Sequence, residues 1–145
     1  MSNDLNTLID GLNVDLAHEY GAAIQYTYSA AVVSGLYRSA LKPFFEDEIS
    51  DEMGHASYLS EKIAALGGTP TTESAPVEQP TEVKDLLQAT LKAEKETIER
   101  YETRKKQAEE LGLTELVVKL EDIIADETNH KEEAERLLSD SRIHA

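Results

Sequence analysis

An all-α fold, an antiparallel four-helix bundle with a long crossover connection between helices two and three, is what this sequence predicts. Three observations lead there. Apolar residues recur at heptad spacing through four long stretches. No stretch alternates with the period of two that a half-buried strand requires. Three of the four prolines, Pro70, Pro76 and Pro80, sit in one segment without helical periodicity, GGTPTTESAPVEQP. At 145 residues the chain suits a single domain spanning 1–145, long enough to bury a continuous core.

The first helix is expected over about 4–34; its seam runs Leu5, Leu8, Leu12, Glu19, Ala23, Tyr26 and Ala30, and it breaks at Ser34-Gly35-Leu36. The second, over about 36–66, carries Phe45, Ile49, Glu52, Ala56, Leu59 and Ile63, with Pro43 either kinking it or marking its start. After the proline-rich connection a third helix, about 81–110, aligns Leu87, Leu91, Glu94, Ile98, Tyr101 and Ala108. Gly112 is placed to stop it and Thr114 to cap the fourth, about 114–138, whose seam is Leu116, Leu120, Ile123, Glu127, His130, Ala134 and Leu137.

The charge narrows the function classes. Asp and Glu number 29 against 14 Lys and Arg, a formal net charge of −15, which argues against nucleic acid, since phosphate binding is driven by clustered Lys and Arg. The acidity fits either a well-solvated surface or the attraction of cations. No apolar run approaches the roughly 20 residues needed to cross a bilayer, and the opening MSNDLNTL, with no basic start leading into an apolar run, is not expected to act as a secretory leader. With no cysteine there is neither a disulfide framework nor a thiolate metal site, consistent with a cytoplasmic protein. Any metal must be held by oxygen and nitrogen.

One glutamate interrupts every seam, near the middle of its helix, so in an antiparallel bundle all four fall at about the same height in the core. An offset of 75 residues then relates Glu19 to Glu94, Tyr26 to Tyr101, Asp51 to Asp126, Glu52 to Glu127 and His55 to His130. The two helical hairpins therefore read as copies of one unit about an approximate two-fold axis. Residues three apart on a helix differ by about 60° around its axis, so Glu52 with His55, and Glu127 with His130, can converge. Four buried carboxylates without counterions would be costly or would take up protons; two divalent cations neutralise them. Oxygen with imidazole and no sulfur suits iron or manganese and admits zinc.

The chain resembles the bacterioferritin branch of the ferritin-like di-iron superfamily over almost its whole length. The resemblance rests on LNVDLAHEYGAAIQY, ISDEMGHASYLSEKIAALGGTP, LKAEKETIERY and IADETNHKEEAERLL. It implies a ferritin-like bundle and a ferroxidase, an iron-handling protein that oxidises Fe(II) to Fe(III) with dioxygen or peroxide. The implied ligands of two iron ions per subunit are Glu19, Glu52, His55, Glu94, Glu127 and His130, with Glu52 and Glu127 bridging both. Met53, in DEMGH, stands where bacterioferritins ligate a haem between two subunits; it also suits the packing of a helix surface. In one respect the resemblance stops: bacterioferritins continue into a fifth C-terminal helix, whereas the residues after His130 suffice only to finish the fourth. Nor does the proline-rich connection carry the small helix that DNA-protecting mini-ferritins use at their dimer interface.

Around the six ligands, Asp51 and Asp126 read either as surface acids or as acceptors for the free N–H of a ligand histidine on the opposing helix. Tyr26 and Tyr101 either fill core volume, or bond to a ligand carboxylate or serve electron transfer. His18 and His144 fall off the seams and are expected to face solvent. A second apolar patch on helix one, Tyr20, Ile24, Tyr28, Ala31 and Val32, continuing into Leu36 and Tyr37, predicts a homo-oligomer, a dimer or larger. Two further readings stay open: an oxidase or peroxidase that retains its iron or manganese, and a non-catalytic bundle that binds metal for structure or assembly.

Overall fold

The computed structural model of the protein describes residues 3–144, with side chains through Ile143. Four helices account for the fold: α1 (Asn3–Val32), α2 (Arg38–Ala65), α3 (Val83–Glu110) and α4 (Thr114–Leu138). Short 3-10 turns, Gly35–Tyr37 and Ser141–His144, precede α2 and follow α4. There is no strand among the described residues.

The helix ends follow local chemistry. Leu66 and Leu111 are C-caps, and the glycine after each, Gly67 and Gly112, takes a left-handed φ of 93° and 69°. In each case the next amide closes back on the helix, Gly68 N–H to Ile63 O at 2.9 Å and Leu113 N–H to Ala108 O at 3.0 Å, satisfying carbonyls that the helix leaves open. At the end of α1 a side chain does this work: the Arg38 guanidinium donates to the carbonyls of Ala30, Ala31 and Val33. The cation also opposes the negative end of the helix dipole. Because the 3-10 turn intervenes, α2 begins at Arg38 and not near 36. Pro43 neither starts nor ends α2; it lies within its second turn, and the carbonyl it leaves without a partner belongs to the exposed Ser39. Thr114 is not a cap. It is the first residue of α4, and Leu113, in the cap position, makes no side-chain bond.

Both helical hairpins pair their own helices, and α1 packs on α3. Cross-links between α1 and α3 run in opposite senses along the two chains, Asp15 to Arg104, Glu19 to Tyr101 and Tyr26 to Glu94, so the two helices are antiparallel. Two apolar clusters fill the bundle. One gathers Leu8, Leu12, Leu16, Leu59, Ile63 and Leu120; the other gathers Tyr26, Val33, Leu41, Phe45, Leu86 and Leu87. The four seam glutamates lie between them, so hydrocarbon closes the polar middle along the bundle axis at both ends. Most predicted seam residues are buried, but Leu5, Ile49, Leu91, Ile98 and Leu137 are only half-buried, because each sits at the margin of its stripe.

Since α2 ends at the end of the bundle where α1 begins, and α3 starts at the other, residues 68–81 must travel its length. They do so as an extended strap laid along α1. The Asn13 side chain donates to Thr69 O and accepts from Thr71 N–H at 2.8 Å. Further along, Ala75 N–H bonds to Ala17 O and the Tyr28 hydroxyl to Pro80 O. Gly21 makes room for the strap, since a Cβ there would lie 3.3 Å from Ala75 O.

Candidate metal centre

Each helix delivers one glutamate to the middle of the bundle, and Glu19, Glu52, Glu94 and Glu127 are all buried. His55 and His130 follow Glu52 and Glu127 by three residues and are buried beside them. His55 Nδ1 lies 3.2 Å from Glu127 Oε1 and 3.5 Å from Glu19 Oε2. His130 Nδ1 lies 3.4 Å from Glu52 Oε1 and 3.7 Å from Glu127 Oε2. The six side chains therefore form two overlapping groups, Glu19, Glu52, His55, Glu127 and Glu52, Glu94, Glu127, His130, whose ligand atoms lie within 4.8 Å of one another. Glu52 and Glu127 belong to both.

The outer nitrogen of each histidine faces an aspartate of the opposing helix. His55 Nε2 is 3.0 Å from Asp126 Oδ2, and His130 Nε2 is 3.4 Å from Asp51 Oδ2. An aspartate accepting the Nε2 proton leaves Nδ1 bare and turned inward, the arrangement of a metal-binding imidazole. The tyrosines bond across the α1–α3 interface. Tyr101 donates to Glu19 Oε1 at 2.6 Å, and Tyr26 donates to Glu94 Oε1.

The donor set fits metal binding on an observation independent of its residue types. Glu19 Oε2, Glu52 Oε1, Glu94 Oε2, Glu127 Oε1 and the two histidine Nδ1 atoms are buried and have no hydrogen-bond partner. Buried polar atoms are normally satisfied; here one from each of six residues turns to a common centre. Left to themselves these side chains must share protons. Burial, with the charge of Glu19, holds Glu52 well above the usual carboxylate range, and burial with Glu127 does the same to Glu94. Burial opposes charge on Glu127 too, but the proton-bearing groups that face it, Glu94, His130, His55 and Glu52, outweigh burial and hold this carboxyl well below its ordinary value. Burial pulls His55 down, yet the carboxylates of Glu127 and Glu19 beside its Nδ1 prevail and lift it to about 11. His130 moves the same way, against burial, through Glu127 and Glu48. Burial raises both tyrosines, which keeps them as hydroxyl donors.

Other predicted residues stand outside the cluster. Met53, 47% exposed on α2, takes no part in it. His18 does not face solvent as expected: it is half-buried, and burial together with the charge of Arg100 lowers its pKa. The side chain of His144 lies outside the described residues. The second apolar patch is largely spent within the chain, because Tyr20 packs on the first core cluster and Tyr28, Val32 and Tyr37 on the second. Ile24, Ala31 and Leu36 stay exposed. Two features escaped the sequence reading. Glu48, one turn before Glu52, also reaches His130 Nε2. An ion pair, Asp15 with Arg104, is buried between α1 and α3. The spacing of Glu48 from Asp51 and Glu52 was the available signal for the first; nothing local signals the second.

The Ferritin family, described as a ferritin-like domain, matches residues 9–143. A ferritin-like, diiron-carboxylate protein of Bacillus anthracis is 62% identical and superposes with a TM-score of 0.95 over 96% of this chain and 100% of its own. The bacterioferritin of Desulfovibrio desulfuricans, whose diiron site has been seen in different catalytic states, is 27% identical, with a TM-score of 0.88 over 99% of this chain and 90% of its own. A Rhodobacter capsulatus bacterioferritin with a metal-free dinuclear site and haem iron shares the fold at 24% identity, TM-score 0.84, over 96% and 87% of the two chains. No curated protein matches the chain.

Proposed function

The chain belongs to the ferritin-like family, and from that premise we propose that its central cluster takes two Fe(II) as substrate and oxidises them to Fe(III) with dioxygen or peroxide. Glu19 and His55 hold one ion, Glu94 and His130 the other, and Glu52 and Glu127 are shared. The observation that carries the reading is the set of six buried, unpartnered ligand atoms turned to one centre. Four carboxylates balance two Fe(II). On oxidation each ion gives up one electron; two electrons and two protons reduce peroxide to two waters, or dioxygen to peroxide. The shared carboxylates keep both ions at a separation from which one oxidant can draw on both. The flanking apolar clusters keep water from the site along the bundle axis.

Anaerobic titration with Fe(II), followed by air or peroxide and monitored by absorbance, tests this. Two ions per chain and a fast oxidation phase are expected, and Glu52→Ala or Glu127→Ala should abolish the fast phase, because each removes a carboxylate common to both ions. Unchanged oxidation in both variants would sink the assignment.

A cytoplasmic setting and a homo-oligomer are part of the same proposal. Ile24 is 49%, Met53 47% and Leu36 96% exposed, apolar surface that a second copy would cover. A haem at Met53 would be held by the Met53 of each of two copies, so haem binding would depend on the oligomer. Light scattering should give a mass above the 16.1 kDa of one chain; a monomer at micromolar concentration would reject the oligomer and the shared haem with it.

A further inference from the structure

The approximate two-fold axis that relates the ligands fails around them, and it fails in charge. On the α1–α3 interface beside Glu19, Asp15 is buried and accepts from Arg104 Nε at 2.7 Å and Nη2 at 3.1 Å. Arg100 brings a second guanidinium, its Nε 3.6 Å from Asp15 Oδ1. The Arg104 head group is set hard against α1: a Cβ on Gly11 would fall 2.2 Å from Arg104 Nη1. Asp15 stands one turn before Glu19, and Arg104 follows by one turn Tyr101, whose hydroxyl holds Glu19. The offset of 75 residues carries Asp15, Arg104 and Arg100 onto Thr90, Ser29 and Gln25. None of these is charged. Thr90 donates only to Leu86 O in its own helix, and neither Ser29 Oγ nor Gln25 Nε2 has a partner.

A second break lies on α2 and α4. His130 Nε2 faces two carboxylates, Glu48 and Asp51, whereas His55 Nε2 faces Asp126, and the counterpart of Glu48 is Ile123. Summed over these groups, the Glu19–His55 side carries one surplus positive charge and the Glu94–His130 side one surplus negative charge. The exposed Glu96 also acts near Arg100, reaching His18, but from the solvent side where screening is strong. Both departures from symmetry favour a cation at the same place.

We propose that the Asp15–Arg100–Arg104 cluster and Glu48 make the two cation positions unequal, so that the position built on Glu94 and His130 fills first and the one built on Glu19 and His55 fills second. This rests on the cluster binding two metal ions. None of these four residues touches the ions; they act on them through Glu19 and His130, as positioning and charge-setting groups. A single unit charge near a divalent ion in a partly buried site is worth on the order of tenfold in affinity.

The test is an anaerobic calorimetric titration of the full chain with Co(II), which binds oxygen and nitrogen ligands without being oxidised by air-free buffer. Two resolved steps are expected. Glu94→Gln should remove the tighter and Glu19→Gln the weaker; the reverse assignment would overturn the order. Arg100→Gln, which installs the residue found at the symmetry-related position, should strengthen the weaker step by about tenfold and leave the tighter one in place, with the difference shrinking in high salt. Arg100→Lys keeps the charge and should keep the inequality. Glu48→Gln should weaken the tighter step. If Arg100→Gln and Glu48→Gln change only the melting temperature while both steps hold, the cluster is structural and the inference fails. Failure to bind two Co(II) in the unaltered protein would instead remove the two-metal reading beneath it.

Discussion

Replacing Tyr101 by phenylalanine deletes the hydroxyl that holds Glu19 Oε1 at 2.6 Å and leaves that oxygen buried without its donor. Stability should fall by about 1–3 kcal/mol, the cost of an unsatisfied buried acceptor, read as a lower urea midpoint at unchanged slope. An unchanged midpoint would mean that the hydroxyl serves only to fill volume. At this scale the sequence speaks where a residue type contradicts its place: a glutamate in an apolar seam is conspicuous, and Glu19, Glu52, Glu94 and Glu127 stand out for that reason. Glu48 does not, because it lies off the seam and its counterpart in the repeat is Ile123. Asp15 and Arg104 are 89 residues apart and meet only once α1 lies on α3. A charged residue on a long helix is ordinarily solvated, and only the packed pair shows that these are not.

The ends of the helices obey a different chemistry from their middles, and the mutations that test them should leave the metal centre alone. Gly112 holds a φ of 69° to let Leu113 close on Ala108 O. Gly112→Ala should therefore cost about 1 kcal/mol and leave Fe(II) stoichiometry unchanged; a stability equal to that of the unaltered chain would show that the turn relaxes without loss. Gly35, Gly67 and Gly112 made the breaks between elements legible, since few other residues accept these backbone angles. What could not be read was how Arg38 would finish α1, or that Thr114 would enter α4 in place of capping it. Both depend on where carbonyls end up in space. The strap is a stronger case. Its prolines announced a connection, but its course along α1 is set by Asn13, Ala17 and Gly21, residues that look unremarkable in a helix until a second segment bonds to them.

Over the whole molecule, protons and any metal ion taken up would compete for the same cluster, and this fixes how stability depends on pH. In metal-stripped protein the folded chain holds a proton on His55 up to about 11, while an unfolded histidine releases it near 6.5. Folding then takes up a proton, so this contribution is complete below pH 6.5 and is lost as pH rises toward 11. Glu52 and Glu94, raised from 4.5, act in the same sense over a lower starting point. Glu127, lowered, contributes above 4.5 and loses its share on acidification. A bound ion would take the place of these protons, and an ion held by the folded chain alone would stabilise it. Loaded protein should melt at a higher temperature than stripped protein, and the gap should widen as pH rises from about 6.5. Thermal scans that coincide across that range would show that no such cluster forms in solution.

The strap has one more consequence, and it is genetic. Two separate copies of one hairpin, joined about a true two-fold axis, would present the same six ligand types as this chain. Every substitution in such an ancestor would strike both ends of the site together. Once residues 68–81 tie the hairpins into one reading frame, each half can change alone, and the two halves do differ: arginines at 100 and 104 against glutamine and serine at 25 and 29, glutamate at 48 against isoleucine at 123. What the connection adds to the bundle is less a fastening than the freedom for a repeated site to be lopsided.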